Sequence, residues 1–152
     1  MDGADLRSLR TRYRLTQAAV AAAAGIAQPD LSAMEHDRRG TPESRARVAE
    51  AIRRLARPSD VLTPEIREVV RKVFSDHRAS NVRVFGSVAR GADRPGSDLD
   101  LIAVFPDDFG FLELMELEDE LEQVTGLPVD VVSDSPRTAA SLARAKRDAV
   151  PL

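Results

Sequence analysis

The sequence of 152 residues contains no cysteine. Disulfides are excluded, and so is any zinc site built on thiolates. Histidine is scarce: His36 and His77 are the only two. Each falls near the C-terminus of an expected helix, where positive charge is mildly favoured, so neither reads as a metal ligand. No apolar run approaches the ~20 residues of a membrane span. The N-terminal stretch MDGADLRSLR does not read as a secretory signal. The expectation is a cytoplasmic protein with no membrane partner.

What is present suits a soluble globular chain of one or two small domains, at 43% hydrophobic and 31% charged residues. The net charge of −3 is unevenly divided. Residues 1–60 carry 11 Lys and Arg against 8 Asp and Glu, whereas residues 61–152 carry 11 against 17. The basic half could meet nucleic acid; the acidic half is not suited to it.

The first half reads as short helices. Leu6, Leu9 and Tyr13 share a face over Ala4–Tyr13. Thr16 is placed to cap Gln17–Ala24, and Gly25 to end it. A third helix runs from Gln28 to about His36, with Pro29 in its first turn. Asp37–Gly40 is a loop, and Pro42 opens a fourth helix to about Arg57, burying Val48, Ile52 and Leu55. Residues 58–64 read as a linker, because Pro58, Ser59 and Asp60 break the pattern. The expected division is therefore a helical domain at 1–57 and a second domain at 65–152.

In the second half, Thr63 caps a helix whose Ile66, Val69, Val70, Val73 and Phe74 form an apolar stripe. Strand Val82–Phe85, strand Leu99–Phe105, helix Phe111–Thr125, strand Val129–Val132 and a final helix from Ser135 to about Asp148 complete a small α/β arrangement. The acidic run from Glu113 to Glu122 reads as a solvated helix face.

The chemistry concentrates between Val82 and Val104. Gly86-Ser87 follows a strand and opens a short helix at Val88–Arg90, where backbone N–H groups favour a phosphate and glycine lets it approach. Asp98 and Asp100 sit two apart, so in a strand they project to one face about 6.6 Å apart, with Leu99 turned inward. Two adjacent carboxylates invite a cation, and Mg²⁺ commonly combines one or two carboxylates with substrate phosphates. Asp130 is the one charged residue among three valines, which is costly unless it is paired or metal-bound. A strand beside Leu99–Val104 would bring it to the same face. Arg90 could neutralise phosphate or pair with Asp93. Ser97 is expected to orient the turn into Asp98.

The run Gly86-Ser87-Val88-Ala89-Arg90-Gly91, followed by Ser97-Asp98-Leu99-Asp100-Leu101, resembles the minimal nucleotidyltransferases of the DNA polymerase beta-like superfamily. The resemblance implies that Asp98, Asp100 and Asp130 are catalytic and hold Mg²⁺. It implies that Gly86, Ser87, Arg90 and Ser97 serve a nucleoside triphosphate, ATP. Such proteins are typically antitoxins paired with a HEPN-type ribonuclease toxin, so AMP transfer to a tyrosine of that toxin is implied.

The run from Leu15 to Glu35 resembles the phage-repressor type of helix-turn-helix. That resemblance implies a DNA face containing Gln17, Gln28, Asp30, Ser32, Arg38 and Arg39. Gln28 at the head of the recognition helix could read adenine, and Arg38 and Arg39 could meet phosphate. Two departures stand out: Ala27 replaces the usual small polar cap, and Asp30 places an anion toward DNA. The combination predicts binding to the protein's own promoter, as an oligomer or in complex with the toxin. Two rival functions are a transcriptional regulator that only senses nucleotide and a transferase acting on a small molecule or nucleic-acid end. Three retained aspartates weigh against the first. The lack of a second, acceptor-holding domain weighs against the other.

Overall fold

Short polar side chains set the helix starts. In the computed structural model, which describes residues 1–152, Asp2 accepts from Asp5 N–H (2.8 Å) ahead of α1 (Gly3–Arg12). Thr16 Oγ1 accepts from Ala19 N–H (3.1 Å) ahead of α2 (Gln17–Ala24). Gly25 ends α2 at φ +67°, a conformation open mainly to glycine. α3 (Gln28–Glu35) starts at Ala27 with no side-chain cap. Thr41 caps α4 (Pro42–Leu55) through Ser44 N–H (3.2 Å). Leu6, Tyr13, Val20, Leu31, Val48 and Ile52 meet in the interior.

A charged group is buried among these helices. Glu35 is enclosed and takes two bonds from Arg10 (2.6 and 3.0 Å) and one from Gln17 Nε2 (2.8 Å). Burial opposes ionisation of Glu35, but the hydrogen bonds from Arg10 and Gln17 outweigh it and hold its carboxyl below the usual range.

The stretch 58–64 is not an extended linker. Pro58–Val61 forms a helical turn, α5, with Pro58, Val61 and Leu62 buried. One continuous apolar cluster runs from Leu6 through Ile52 and Val61 to Leu121 and Leu152. The helical half therefore shares its core with the half that follows.

α6 (Pro64–Asp76) buries Val70, Val73 and Phe74. Val69, expected inward, is 43% exposed; α6 packs chiefly on α8 (Phe111–Thr125) and β1 (Ser80–Val84). A four-stranded sheet follows the order β3-β2-β1-β4. β1 and β2 (Leu99–Val104) are antiparallel, with an irregular register between Ser80 and Arg83. β2 and β3 (Val129–Ser133) are parallel. β4 (Val150–Pro151), absent from the sequence expectation, pairs with β1. Leu99, Leu101, Ala103, Val129 and Val131 turn into the core.

The last expected helix is much shorter than its sequence suggested. Only Ala143–Asp148 forms α9. Thr138 Oγ1 instead bonds the carbonyls of Ser133 (2.7 Å) and Ser135 (3.1 Å) and folds the preceding segment into turns.

The acidic helix α8 is more than a solvated face. Glu118 accepts from Val131 N–H (3.0 Å) and Glu122 from Val129 N–H (3.2 Å). These two donors lie on the outer side of β3, the sheet's last strand.

Candidate active site

Three aspartates gather at the start of β2 and β3. The parallel register sets Asp100 opposite Asp130, and Leu99 opposite Val129. Asp98 lies two residues before Asp100 and is exposed, as is Asp130; Asp100 is partly buried. Burial raises the Asp100 carboxyl above its ordinary range, the nearby Asp130 and Asp98 charges add to this, and Arg90 partly offsets it. The sequence expectation that Asp130 shares a face with Asp100 matches this register; Asp98 lies just before β2, outside the paired residues.

Gly86 sits against that group. It adopts φ +69°, and a Cβ there would lie 2.1 Å from Asp100 Oδ2. Any side chain would strike the carboxylate, so glycine is required by both space and backbone. The helical turn after β1 covers Gly86–Ala89 (α7), starting two residues earlier than expected. Ser87 is half-buried within it, and its carbonyl accepts from Ala92 N–H (2.8 Å), tying the following loop to α7.

Ser97 sits in the turn expected for it, whereas Arg90 takes a different partner from the one offered in sequence. Arg90 pairs with Asp148 of α9 (3.4 Å) rather than with Asp93. Asp93 is buried and bound to α5 instead: Oδ2 accepts from Ser59 N–H (2.9 Å) and its carbonyl from Arg57 (3.1 Å). Ser97 Oγ accepts from Arg94 N–H (2.9 Å) and closes the turn before Asp98. Sequence reasoning offered Asp93 to Arg90 and did not single out Asp148, because neither pairing follows from local spacing.

The three carboxylates do not form a closed metal cage; no three His, Asp or Glu side chains converge that tightly. They still offer hard oxygen donors, which suit Mg²⁺. An ion that completes its shell with substrate phosphates and water needs only one or two of them. The residues therefore fit the ion.

Residues 64–150, which include this whole site, match the family model described as the nucleotidyltransferase domain. The chain belongs to that family. This nucleotidyltransferase is 33% identical over 73 residues to MJ1215 of Methanocaldococcus jannaschii, named as a candidate protein adenylyltransferase; the match covers 45% of this chain and 85% of that protein. It is 41% identical over 54 residues to the protein adenylyltransferase MntA of Thermococcus cleftensis, covering 36% of this chain and 54% of that one. A solved structure described as a toxin-antitoxin with AMP-PNP shares the fold, with a TM-score of 0.51 at 18% identity over 56% of this chain and 70% of that one. The chain is thus an enzyme of the nucleotidyltransferase class, akin to protein adenylyltransferases. No helix is long and apolar enough to cross a membrane.

The residues expected to face DNA are spread over the helical half. Gln28 and Arg38 are exposed. Arg39 is ion-paired with Asp30, so the anion that stood against DNA contact is partly neutralised. The carbonyl of Ser32 lies 2.7 Å from His36 Nδ1. Gln17 spends its amide donor on buried Glu35.

Proposed function

We propose that this nucleotidyltransferase moves AMP from ATP to a tyrosine hydroxyl of a partner HEPN-type ribonuclease toxin, silencing it, and that its helix-turn-helix half binds DNA at its own promoter. The observation that carries the transfer chemistry is the parallel register of Asp100 and Asp130 beside Asp98 and Gly86. The adenylyl group is supported by the two relatives named above, and the toxin by the motif Gly86–Gly91 with Ser97–Leu101.

Asp98 and Asp100, with Asp130 available, would hold Mg²⁺, which supplies charge neutralisation at the triphosphate. Gly86 and Ser87 line the phosphate side. Asp130, exposed at the strand start, takes the proton of the acceptor hydroxyl. The acceptor oxygen bonds to the α-phosphorus, the bond to the β-phosphate bridging oxygen breaks, and pyrophosphate leaves. The protein's own contribution is positioning and charge.

The test combines the full chain with a HEPN-type ribonuclease and ATP labelled at the α-phosphate. Label on a tyrosine of that protein, abolished by Asp98→Asn with Asp100→Asn, is the expected result. Label that persists in the double variant overturns the site; label confined to nucleic acid or small molecules overturns the acceptor.

A further inference from the structure

The helical half grips the enzyme half at two places, and each precedes one of the aspartate positions. The first is the loop between α7 and Asp98. Asp93 is 4% exposed, and its Oδ2 is held by Ser59 N–H at 2.9 Å. Its Oδ1 makes no hydrogen bond, and the Arg57 guanidinium lies 3.8 Å from it. Three residues on, Gly96 N–H donates to the carbonyl of Ala56 (2.9 Å) at the end of α4. Asp98 follows two residues later.

The second grip is the turn between α8 and β3. Tyr13 is 2% exposed, and its hydroxyl donates to the carbonyl of Thr125 (2.8 Å). That hydroxyl fills the space beside Gly126, where a Cβ would lie 1.8 Å from it. Arg12 adds a bond to the carbonyl of Val124 (3.2 Å). Buried Leu127 comes next, and the Pro128 carbonyl accepts from Leu99 N–H (2.9 Å), between Asp98 and Asp100. Asp130 follows two residues later. A short, fully bonded path therefore leads from the Tyr13 hydroxyl to both strands that carry the carboxylates.

We infer that Asp93 and Tyr13 are positioning residues for nucleotide transfer: through them the helical half sets the relative placement of Asp98, Asp100 and Asp130. The inference rests on the reading of those three aspartates as the metal-holding group. A freely jointed module would not need a buried carboxylate on one side and a buried tyrosine hydroxyl on the other. Loss of groups that orient metal ligands typically weakens metal affinity by about 10–100-fold.

The experiment uses the full chain, Mn²⁺ as an electron paramagnetic resonance probe, and AMP-PNP. The wild-type chain should bind Mn²⁺ with AMP-PNP, and Asp98→Asn with Asp100→Asn should not. Tyr13→Phe keeps the ring and removes only the hydroxyl; it should weaken Mn²⁺ binding about tenfold at temperatures where the chain remains folded. Asp93→Ala should do the same, and Asp93→Asn, which can still accept from Ser59 N–H, should restore most of the affinity. If the wild-type chain binds no Mn²⁺ with AMP-PNP, the metal-holding reading fails, and the inference with it. If the wild type binds and Tyr13→Phe binds equally well while only melting earlier, the two contacts are structural and the inference alone is overturned. Tyr13→Phe decides the matter should Asp93→Ala not fold.

Discussion

Asp130 stands directly opposite Asp100 across the parallel pair of β2 and β3. Both side chains therefore share one face, yet Asp100 is partly buried while Asp130 is open to solvent. This difference suits two roles, one beside the nucleotide and one beside an incoming acceptor.

Asp130→Asn is expected to lower the transfer rate by roughly 10²–10⁴-fold, the usual worth of a positioned base. Nucleotide affinity should change little. Rapid-quench kinetics with calorimetric ATP titration separates the two. A large loss of ATP affinity at unchanged turnover would leave Asp130 a metal ligand and remove it as the base.

The raised Asp100 carboxyl carries a sign. A group with a folded-state value above its unfolded one stabilises the fold below the unfolded value and loses that contribution as pH rises through the folded value. At neutral pH the ionised Asp100 therefore works against the fold. Asp100→Asn should raise the melting temperature in chelator, and Mg²⁺ should raise that of the wild type more than that of the variant. Differential scanning calorimetry at pH 7 with and without Mg²⁺ reads both effects.

Gly86→Ala should cost about 1–3 kcal/mol of stability through its left-handed backbone alone. The methyl group would also displace Asp100, so transfer should fall even where the variant stays folded. Denaturant unfolding and a turnover assay on the same preparation test this.

Glu35→Ala leaves Arg10, whose side chain is 12% exposed, without its partner. Breaking a buried pair from one side typically costs about 3–5 kcal/mol. Because the Glu35 carboxyl lies below its unfolded value, the wild type should lose this stability as pH falls through the folded value, and the variant should show a flatter acid limb. Urea midpoints between pH 7 and pH 3 measure both.

For the helical half, Gln28→Ala should cost about 1–3 kcal/mol at one base position of a near-palindromic site. Arg38→Ala should weaken binding to all sequences and flatten the salt dependence. Fluorescence anisotropy across a salt series distinguishes the two. Absence of any salt-dependent binding at low ionic strength would reduce this half to a protein-contact module.

Much of the fold was legible because its signals are local. Thr16, Gly25, Pro42 and Thr63 mark helix ends by side-chain or backbone chemistry that needs no distant partner. The inward turn of Leu99 beside the outward Asp100 follows from strand alternation. What escaped depends on contacts far apart in sequence. The turn at Pro58–Val61 is helical where Val61 and Leu62 join a core common to both halves, which local composition cannot signal. β4 forms only because β1 offers it an edge. Asp93 looked like a surface partner for Arg90, but it belongs to Ser59, 34 residues earlier.

Glu118 and Glu122 occupy the outward N–H groups of Val131 and Val129. An unoccupied row of such donors is a template on which another chain can lay a strand, in assembly or in aggregation. Here those donors are spent within the chain, and carboxylates stand in the path of an incoming backbone. Association along β3 by backbone pairing is thereby disfavoured. A protein partner, or a second copy, meets at this edge a row of side chains in place of free backbone donors, so adding a strand there would first have to displace Glu118 and Glu122.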